Sequence, residues 1–247
     1  MVYKGQFSKI GYESLLKTFL GLGYDTVKFQ NIESKKKHLI VRHDVDFLPE
    51  TVIEISNIEK KLNIKAYYFF LVKSDIYNIF SDKCRKILLD LIKSGHYIGL
   101  HFDYLKINNR EASEKEALEQ CNLLQSISNS KIDTISFHRP DKSLLNDNKK
   151  LAGRLHTYMP KFFSGISYCS DSGGLWKHGS PIENSAIKKG NAMQLLTHPE
   201  WWQSKINTNR KSRIKSILKQ IGINNLNYFK NNFSDFGKVN LKNKKYI

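Results

Sequence analysis

Short apolar runs that stop at a metal-capable side chain recur along this chain. The residues that follow these runs are Asp44 and Asp46, His101, His138, and His198. Each run predicts a buried strand, and amphipathic helical segments separate the runs. Strands that alternate with helices are typical of a parallel sheet. The C-terminal ends of parallel barrel strands open on one face, so we expect these five side chains to meet there.

The rest of the pattern predicts the elements between these runs. Residues 141–190 have no clear periodicity and are expected to be rich in loops. Nothing in the pattern indicates a repeat or a linker, so residues 1–247 are predicted to form one domain, with a core at about 38–202. Strands are predicted at 38–43, 64–72, 97–101, 132–138 and 192–197, and helices at 11–20, 49–62, 84–93 (capped by Asp82), 111–127 and 209–220.

Composition narrows the class of protein. The chain has 247 residues, of which 40% are hydrophobic and 26% charged, as in an ordinary globular protein. No apolar run approaches the roughly 20 residues that cross a bilayer, and the N-terminal residues lack the apolar core of a signal peptide. We therefore expect a cytoplasmic protein. Three scattered cysteines predict neither a disulfide framework nor a thiolate metal site.

The charge of the chain is unevenly placed. Of the net +17, the segment 205–247 carries +10, because its 11 Lys and Arg residues are opposed by Asp235 alone. Such a segment can contact an anionic membrane, a nucleic acid or a phosphate-bearing substrate. It can equally be a solvated, lysine-rich surface. We expect a phosphate-bearing sugar or a membrane surface as its partner, and not a nucleic acid.

Asp44 and Asp46 lie two residues apart on an extended chain and therefore point the same way. One can hold a divalent metal while the other takes a proton from water, as in metal-assisted hydrolases. Two alternatives are open. The pair can cap the helix that Pro49 begins, or it can be the Asp-x-Asp of a glycosyltransferase, which holds a metal on a nucleotide sugar.

Two further segments carry candidate chemistry. His198 precedes Trp201 and Trp202, an arrangement that suits a sugar site in which the histidine protonates a leaving group and the indoles stack on a pyranose. Asp171 and Trp176 belong to a loop that can add substrate contacts. The alternative for the tryptophans is a place in the core.

Arg139 follows His138 at the end of its strand. Its guanidinium can pair with a catalytic carboxylate and keep that carboxylate ionised. The alternative is a plain structural salt bridge.

The ordered blocks His-Asp-Val-Asp, Gly-His-Tyr-Ile-Gly-Leu-His, Phe-His-Arg-Pro and Leu-Leu-Thr-His-Pro resemble the signature blocks of the polysaccharide deacetylases. These are metal-dependent carbohydrate esterases related to the nodulation-factor deacetylase. The resemblance spans residues 39–202. It implies a distorted (β/α) barrel of about seven parallel strands, one divalent metal, usually zinc, and hydrolysis of an N- or O-acetyl group on a sugar. Relatives of this divergent kind are linked to surface-polysaccharide synthesis.

The resemblance also implies roles for individual residues. Asp44 matches the base, Asp46 and His101 match metal ligands, Arg139 matches the arginine that positions the base, and His198 matches the acid. The second histidine of the family's ligand pair would fall at Leu105, and we expect His138 to replace it. A cytoplasmic site implies a nucleotide- or lipid-linked sugar intermediate. Two other functions stay open: a non-catalytic carbohydrate- or polyanion-binding protein, and a glycosyltransferase.

Overall fold

The computed structural model describes residues 6–104, 107, 109–177 and 179–233. Within these ranges, eight strands form one sheet in which every hydrogen-bonded pair of strands is parallel. The strands are β1 Asp25–Thr26, β2 His38–Val45, β3 Tyr67–Leu71, β4 Tyr97–Phe102, β5 Thr134–Phe137, β6 Leu155–His156, β7 Ser167–Ser170 and β8 Met193–Thr197.

Seven of these strands lie side by side in the order β6-β5-β4-β3-β2-β8-β7, and the short β1 pairs with the start of β2. The sheet curls and carries helices on its outer face. This arrangement confirms the predicted distorted barrel of about seven parallel strands.

The helices follow the predicted positions closely where the apolar period is strong. Ser81, rather than Asp82, is the N-cap of the helix Asp82–Lys93, since its hydroxyl accepts the amide hydrogen of Cys84. The last helix extends 12 residues beyond its predicted end at Gln220. The helices are α1 Lys9–Gly21, α2 Val52–Lys61, α3 Asp82–Lys93, α4 Arg110–Ser128, α5 Pro160–Phe163, α6 Ser185–Lys188 and α7 Arg210–Asn232.

Two strands lie in the segment that was expected to be mainly loop. Strands β6 and β7 have two and four residues, which is too short for an alternating pattern to show in the sequence. They are strands because their backbones pair with β5 and β8. Strand β7 matters for function because Asp171 follows its end.

The barrel interior changes from apolar to polar along β2. Ile40 packs with Tyr67 and Phe69 near the start of the strand, and Arg42 and Asp44 follow on the same face. A Cβ on Gly99 would lie 2.3 Å from the Phe69 ring. A glycine is therefore required there, because the interior is filled to that depth. The polar end of the interior carries the candidate site.

None of the helices in the described ranges combines the length and the apolar character that a membrane span requires. Helix α7 packs Ile217 and Arg213 against the barrel and leaves most of its later residues exposed.

Candidate metal centre

Asp46, His101 and His138 come together at the C-terminal ends of β2, β4 and β5. The His101 Nε2 atom lies 3.1 Å from Asp46 Oδ1, and His138 Nδ1 lies 3.2 Å from the same oxygen. The two nitrogens are 3.2 Å apart. The three atoms thus form a nearly equilateral triangle. These are the three residues that the sequence analysis assigned to the metal.

The dimensions and chemistry of this triangle fit a divalent transition metal. Ligand atoms placed tetrahedrally about 2.0–2.1 Å from zinc lie roughly 3.3 Å apart, close to the observed sides. Two imidazoles with one carboxylate are a donor set that zinc and its neighbours accept. His101 Nδ1 faces the backbone carbonyl of Ser136 at 3.3 Å. A proton on that nitrogen leaves Nε2 free to act as a ligand.

The electrostatics of the triangle favour an ionised carboxylate. Burial by itself raises the pKa of Asp46, but hydrogen bonds from His101 and His138 lower it well below its ordinary range. Burial lowers the pKa of His138, but Asp46 leads the groups that raise it, and the net shift is upward. The side chain of His101 is 1% exposed and that of His138 is 23% exposed. The site is therefore reached from the side of His138.

Asp44 lies beside the triangle and is held by Arg42. The guanidinium donates from Nε to Asp44 Oδ1 at 2.9 Å and from Nη2 to Oδ2 at 2.7 Å, and the Ser136 hydroxyl donates to Oδ2 at 3.0 Å. Burial raises the pKa of Asp44, but the charge of Arg42 leads the effects that bring it below its ordinary value. His101 Nε2 is 3.8 Å from Oδ2, so this carboxylate faces the metal ligands.

The structure corrects the role expected for Arg139. Its guanidinium pairs with Asp103, and its side chain is 53% exposed. The arginine on Asp44 is Arg42, which lies two residues earlier on the same strand face. The signal for Arg42 was present in the sequence, because the alternation that aligns Asp44 with Asp46 also aligns Arg42 with both.

His198 follows β8 and is oriented by Asp171, which follows β7. The Asp171 carboxylate accepts from the His198 ring at Nδ1 (2.6 Å) and from the His198 backbone N–H (3.1 Å). Trp202 Nε1 donates to its other oxygen at 2.8 Å. Burial lowers the pKa of His198, but Asp171 and then Asp46 raise it to about 10. His198 Nε2 lies 3.9 Å from Asp46 Oδ2, so a protonated imidazole faces the triangle.

The structure corrects three of the four predicted substrate contacts. Asp171 and Trp202 are both 0% exposed, so a substrate cannot touch them. Asp171 positions His198, and Trp202 stacks on Phe7 in the core. Trp201 is 7% exposed and is therefore buried as well. Only Trp176, which is half-buried, keeps a surface that a substrate could reach.

Glu200 is a buried acid that the sequence analysis missed. It is 3% exposed, and neither carboxylate oxygen has a hydrogen-bond partner among the described residues. Burial and the nearby negative charge of Asp46 raise its pKa well above the ordinary value. Its place two residues after His198 gave no periodic signal, because it lies on a 3₁₀ turn.

Two sequence expectations concern residues beyond the described ranges. Leu105, the departure from the family's ligand pair, lies outside them. So do four of the basic residues of the C-terminal segment, which are Lys238, Lys242, Lys244 and Lys245.

Of the comparisons with known proteins, only the one with solved structures gives matches. No protein-family model and no curated protein matches this sequence. Among solved structures, the chain is similar to a family 4 carbohydrate esterase from Bacillus anthracis, with 14% identity, a TM-score of 0.45, and 84% of each chain covered. It is also similar to a deacetylase from Streptococcus pyogenes in complex with acetate, with 12% identity, a TM-score of 0.45, and 78% of this chain and 84% of that chain covered.

A family 4 pseudoenzyme from Bacillus anthracis is a further similar structure, with 13% identity and a TM-score of 0.41. The match covers 76% of this chain and 62% of the length of the pseudoenzyme. Two of these three structures are of carbohydrate esterase family 4. At such identities the likeness concerns the fold, so we base the function on the geometry of the site.

Proposed function

We propose that this protein is a metal-dependent hydrolase that removes an acetyl group from a sugar. The observation that carries the proposal is the triangle of Asp46, His101 and His138 with sides of 3.1–3.2 Å, flanked by a buried carboxylate and an imidazolium. The acetylated sugar follows from the resemblance of the sequence blocks.

The residues around the triangle divide the proton transfers between them. Asp44, fixed by Arg42, takes a proton from the attacking water as the water oxygen bonds to the acyl carbon. His198, oriented by Asp171, gives a proton to the amine or alcohol as the bond to the acyl carbon breaks and acetate leaves. A divalent metal on Asp46, His101 and His138, with zinc as our choice, would polarise the acyl oxygen and activate the water.

The contacts of Asp44 argue against a glycosyltransferase. In an Asp-x-Asp site both carboxylates serve the metal and its nucleotide. Here Asp44 receives two hydrogen bonds from Arg42 and one from Ser136, which use three of its four or so lone-pair positions. Of the two carboxylates, Asp46 has an oxygen within 3.2 Å of both imidazole nitrogens, which supports Asp46 as the metal ligand.

The first test is the metal content of the purified protein, by elemental mass spectrometry, together with acetate release from a panel of N- and O-acetylated sugars. We expect about one metal per wild-type chain, and loss of both metal and acetate release in His138→Ala. His38→Ala is the matched control, because His38 lies at the opposite end of β2. A wild-type protein that binds no metal after reconstitution would overturn the proposal, and sugar binding without acetate release would favour the non-catalytic alternative.

A nucleotide or lipid carrier for the sugar, a role in surface-polysaccharide synthesis and a cytoplasmic location remain predictions from the sequence. Contact of the basic segment with an anionic membrane does too.

A further inference from the structure

Helix α7 presents an apolar stripe to solvent, on the side that faces away from the barrel. Arg213 and Ile217 are buried on its inner side. Helical spacing places the stripe on the opposite side, and its members are Leu218, Leu226, Phe229 and Phe233. Leu218, Phe229 and Phe233 are 62%, 52% and 51% exposed. The helix is therefore amphipathic in two senses, since both its inner and its outer side carry apolar residues.

The two phenylalanines at the end of α7 form one flat surface. Their ring centroids are 6.0 Å apart, and their planes are inclined by 9°. Exposed apolar residues that occur singly need no explanation, but a continuous exposed patch marks contact with a protein or a membrane. The pair of rings, in line with the two leucines, is such a patch.

Lysines flank the stripe, and the helix has no acid to pair with them. The exposed lysines of α7 are Lys211, Lys215, Lys219 and Lys230. No Asp or Glu occurs between Arg210 and Asn232. Within the part of the chain that the structure describes, none of the four lysines belongs to an ion pair. Their charge is therefore available to an anionic partner.

This charge selects among the partners that could cover the stripe. In a pair of α7 helices from two copies of the chain, the lysines would face further lysines, with no carboxylate to offset them. Residues 234–247 carry four lysines and one aspartate, so they too would be repelled. A nucleic acid matches the lysines but offers nothing to leucine and phenylalanine. An anionic bilayer matches both, because its headgroups attract lysines and its acyl chains accept apolar side chains.

We infer that α7 docks this protein on an anionic membrane surface, with the apolar stripe at the boundary between headgroups and acyl chains. The lysine stems lie along the apolar surface, and their ammonium groups stay at the level of the headgroups. The charge of residues 205–247 predicted an anionic partner of some kind, and the exposed stripe is what favours a membrane. The inference does not depend on the chemistry at the metal centre.

The test measures sedimentation of the full chain with vesicles of phosphatidylcholine, alone or mixed with an equal amount of phosphatidylglycerol. The wild type should bind the anionic vesicles at least roughly tenfold tighter than the neutral ones, and added salt should reduce that difference. Phe229→Ser/Phe233→Ser should weaken binding to the anionic vesicles at least roughly tenfold. Lys215→Gln/Lys219→Gln should reduce the preference for them.

Matched controls remove similar side chains elsewhere on the surface. Phe80→Ser/Leu118→Ser removes two apolar residues that are 49% and 45% exposed, and Lys60→Gln/Lys61→Gln removes two exposed lysines at the end of α2. Both should bind vesicles like the wild type, and urea denaturation checks that every variant is folded. Lipids brominated on their acyl chains report insertion directly: they should quench the added fluorescence of Phe229→Trp and not that of Phe80→Trp.

Four results would overturn the inference: equal binding to both kinds of vesicle, wild-type binding by Phe229→Ser/Phe233→Ser, an equal loss in a control, or no quenching of Phe229→Trp. Light scattering without lipid tests the second copy, since a dimer that this double variant converts to a monomer would assign the stripe to self-association instead. DNA that binds tighter than the anionic vesicles would also contradict it. None of these outcomes involves acetate release, so failure of the proposed function would leave the docking surface standing.

Discussion

Two carboxylates lie on opposite sides of strand β2, Glu59 fully buried and Asp46 13% exposed, and their surroundings differ. Glu59, on the outer side, accepts from Tyr12 at 2.6 Å, from Tyr68 at 2.5 Å and from His43 at 2.7 Å. Asp46, at the end of the strand, has the ring nitrogens of His101 and His138 on one oxygen. Both clusters combine an acid with histidines.

The two clusters differ in how completely their donors and acceptors are hydrogen-bonded. Hydroxyl donors saturate Glu59, and Thr197 occupies the second ring nitrogen of His43 at 2.7 Å. Burial raises the pKa of Glu59, but His43 leads the groups that lower it below its usual value. Both oxygens of Glu59 and both ring nitrogens of His43 therefore already have partners. At Asp46 the two imidazole nitrogens converge on one oxygen and on each other, which is a poor hydrogen-bond arrangement but a suitable one for three metal ligands. A cluster of histidines and an acid therefore indicates a reactive site only where its donors and acceptors are not already used in hydrogen bonds.

The largest effect that separates the clusters concerns stability. Removing one partner of a buried charged network costs about 3–5 kcal/mol, so Glu59→Ala should lower the free energy of unfolding by that amount, because two tyrosine hydroxyls and His43 lose their acceptor. Asp46→Ala in metal-free protein should cost no more than about 1–2 kcal/mol, since its histidine partners can shed their protons. Urea denaturation measures both.

Equal losses of stability in the two variants would remove the distinction between a structural and a reactive cluster. Metal content provides the converse check. Asp46→Ala should bind no metal, whereas the folded fraction of Glu59→Ala should keep it.

A smaller effect is expected where an acid only orients a catalytic group. Asp171→Asn should reduce acetate release roughly 10- to 100-fold, with the alkaline limb of the pH profile moved to lower pH, because Asp171 leads the groups that raise the pKa of His198. Assays across pH 5–10 on metal-loaded protein would measure both changes. A reduced rate with an unmoved limb would contradict this role.

The raised pKa of His198 also makes the stability of the folded protein depend on pH. A pKa raised to about 10 in the folded state, against about 6.5 in the unfolded chain, stabilises fully below pH 6.5. That contribution is lost as pH rises through 10. Metal-free wild type should therefore lose melting temperature across this window, and Asp171→Asn should lose less.

The smallest effects concern the two arginines. Arg139→Ala should change activity by no more than about twofold and stability by less than about 1 kcal/mol. The reason is that Arg139 is exposed and forms a surface ion pair with Asp103. Arg42→Lys should reduce activity roughly tenfold, because a lysine cannot reproduce the two-point contact with Asp44. Kinetic constants on one acetylated substrate decide between them. A larger effect at Arg139 than at Arg42 would restore the role first expected for Arg139.

Local pattern was sufficient for much of the fold. The runs that end at Asp46, His101, His138 and His198 predicted strands at the correct places, because buried parallel strands are continuous apolar segments. Strands β6 and β7 escaped detection because they exist only through pairing with their neighbours. Asp171 was noticed as part of a loop, but its role was misjudged for the same reason: its partner is 27 residues away.

The sequence by itself determined the alternation of strands and helices, and with it the meeting of Asp46, His101 and His138, since parallel strands must end on one face. Two-residue alternation also places Arg42 and Asp44 on one face of the strand, although the sequence analysis assigned the pairing to Arg139. Only the tertiary structure decided that Glu59 has all its hydrogen-bond partners, that Asp46 faces two imidazole nitrogens, and that Trp202 lies in the core. Those outcomes depend on contacts between distant segments, and no local period encodes them.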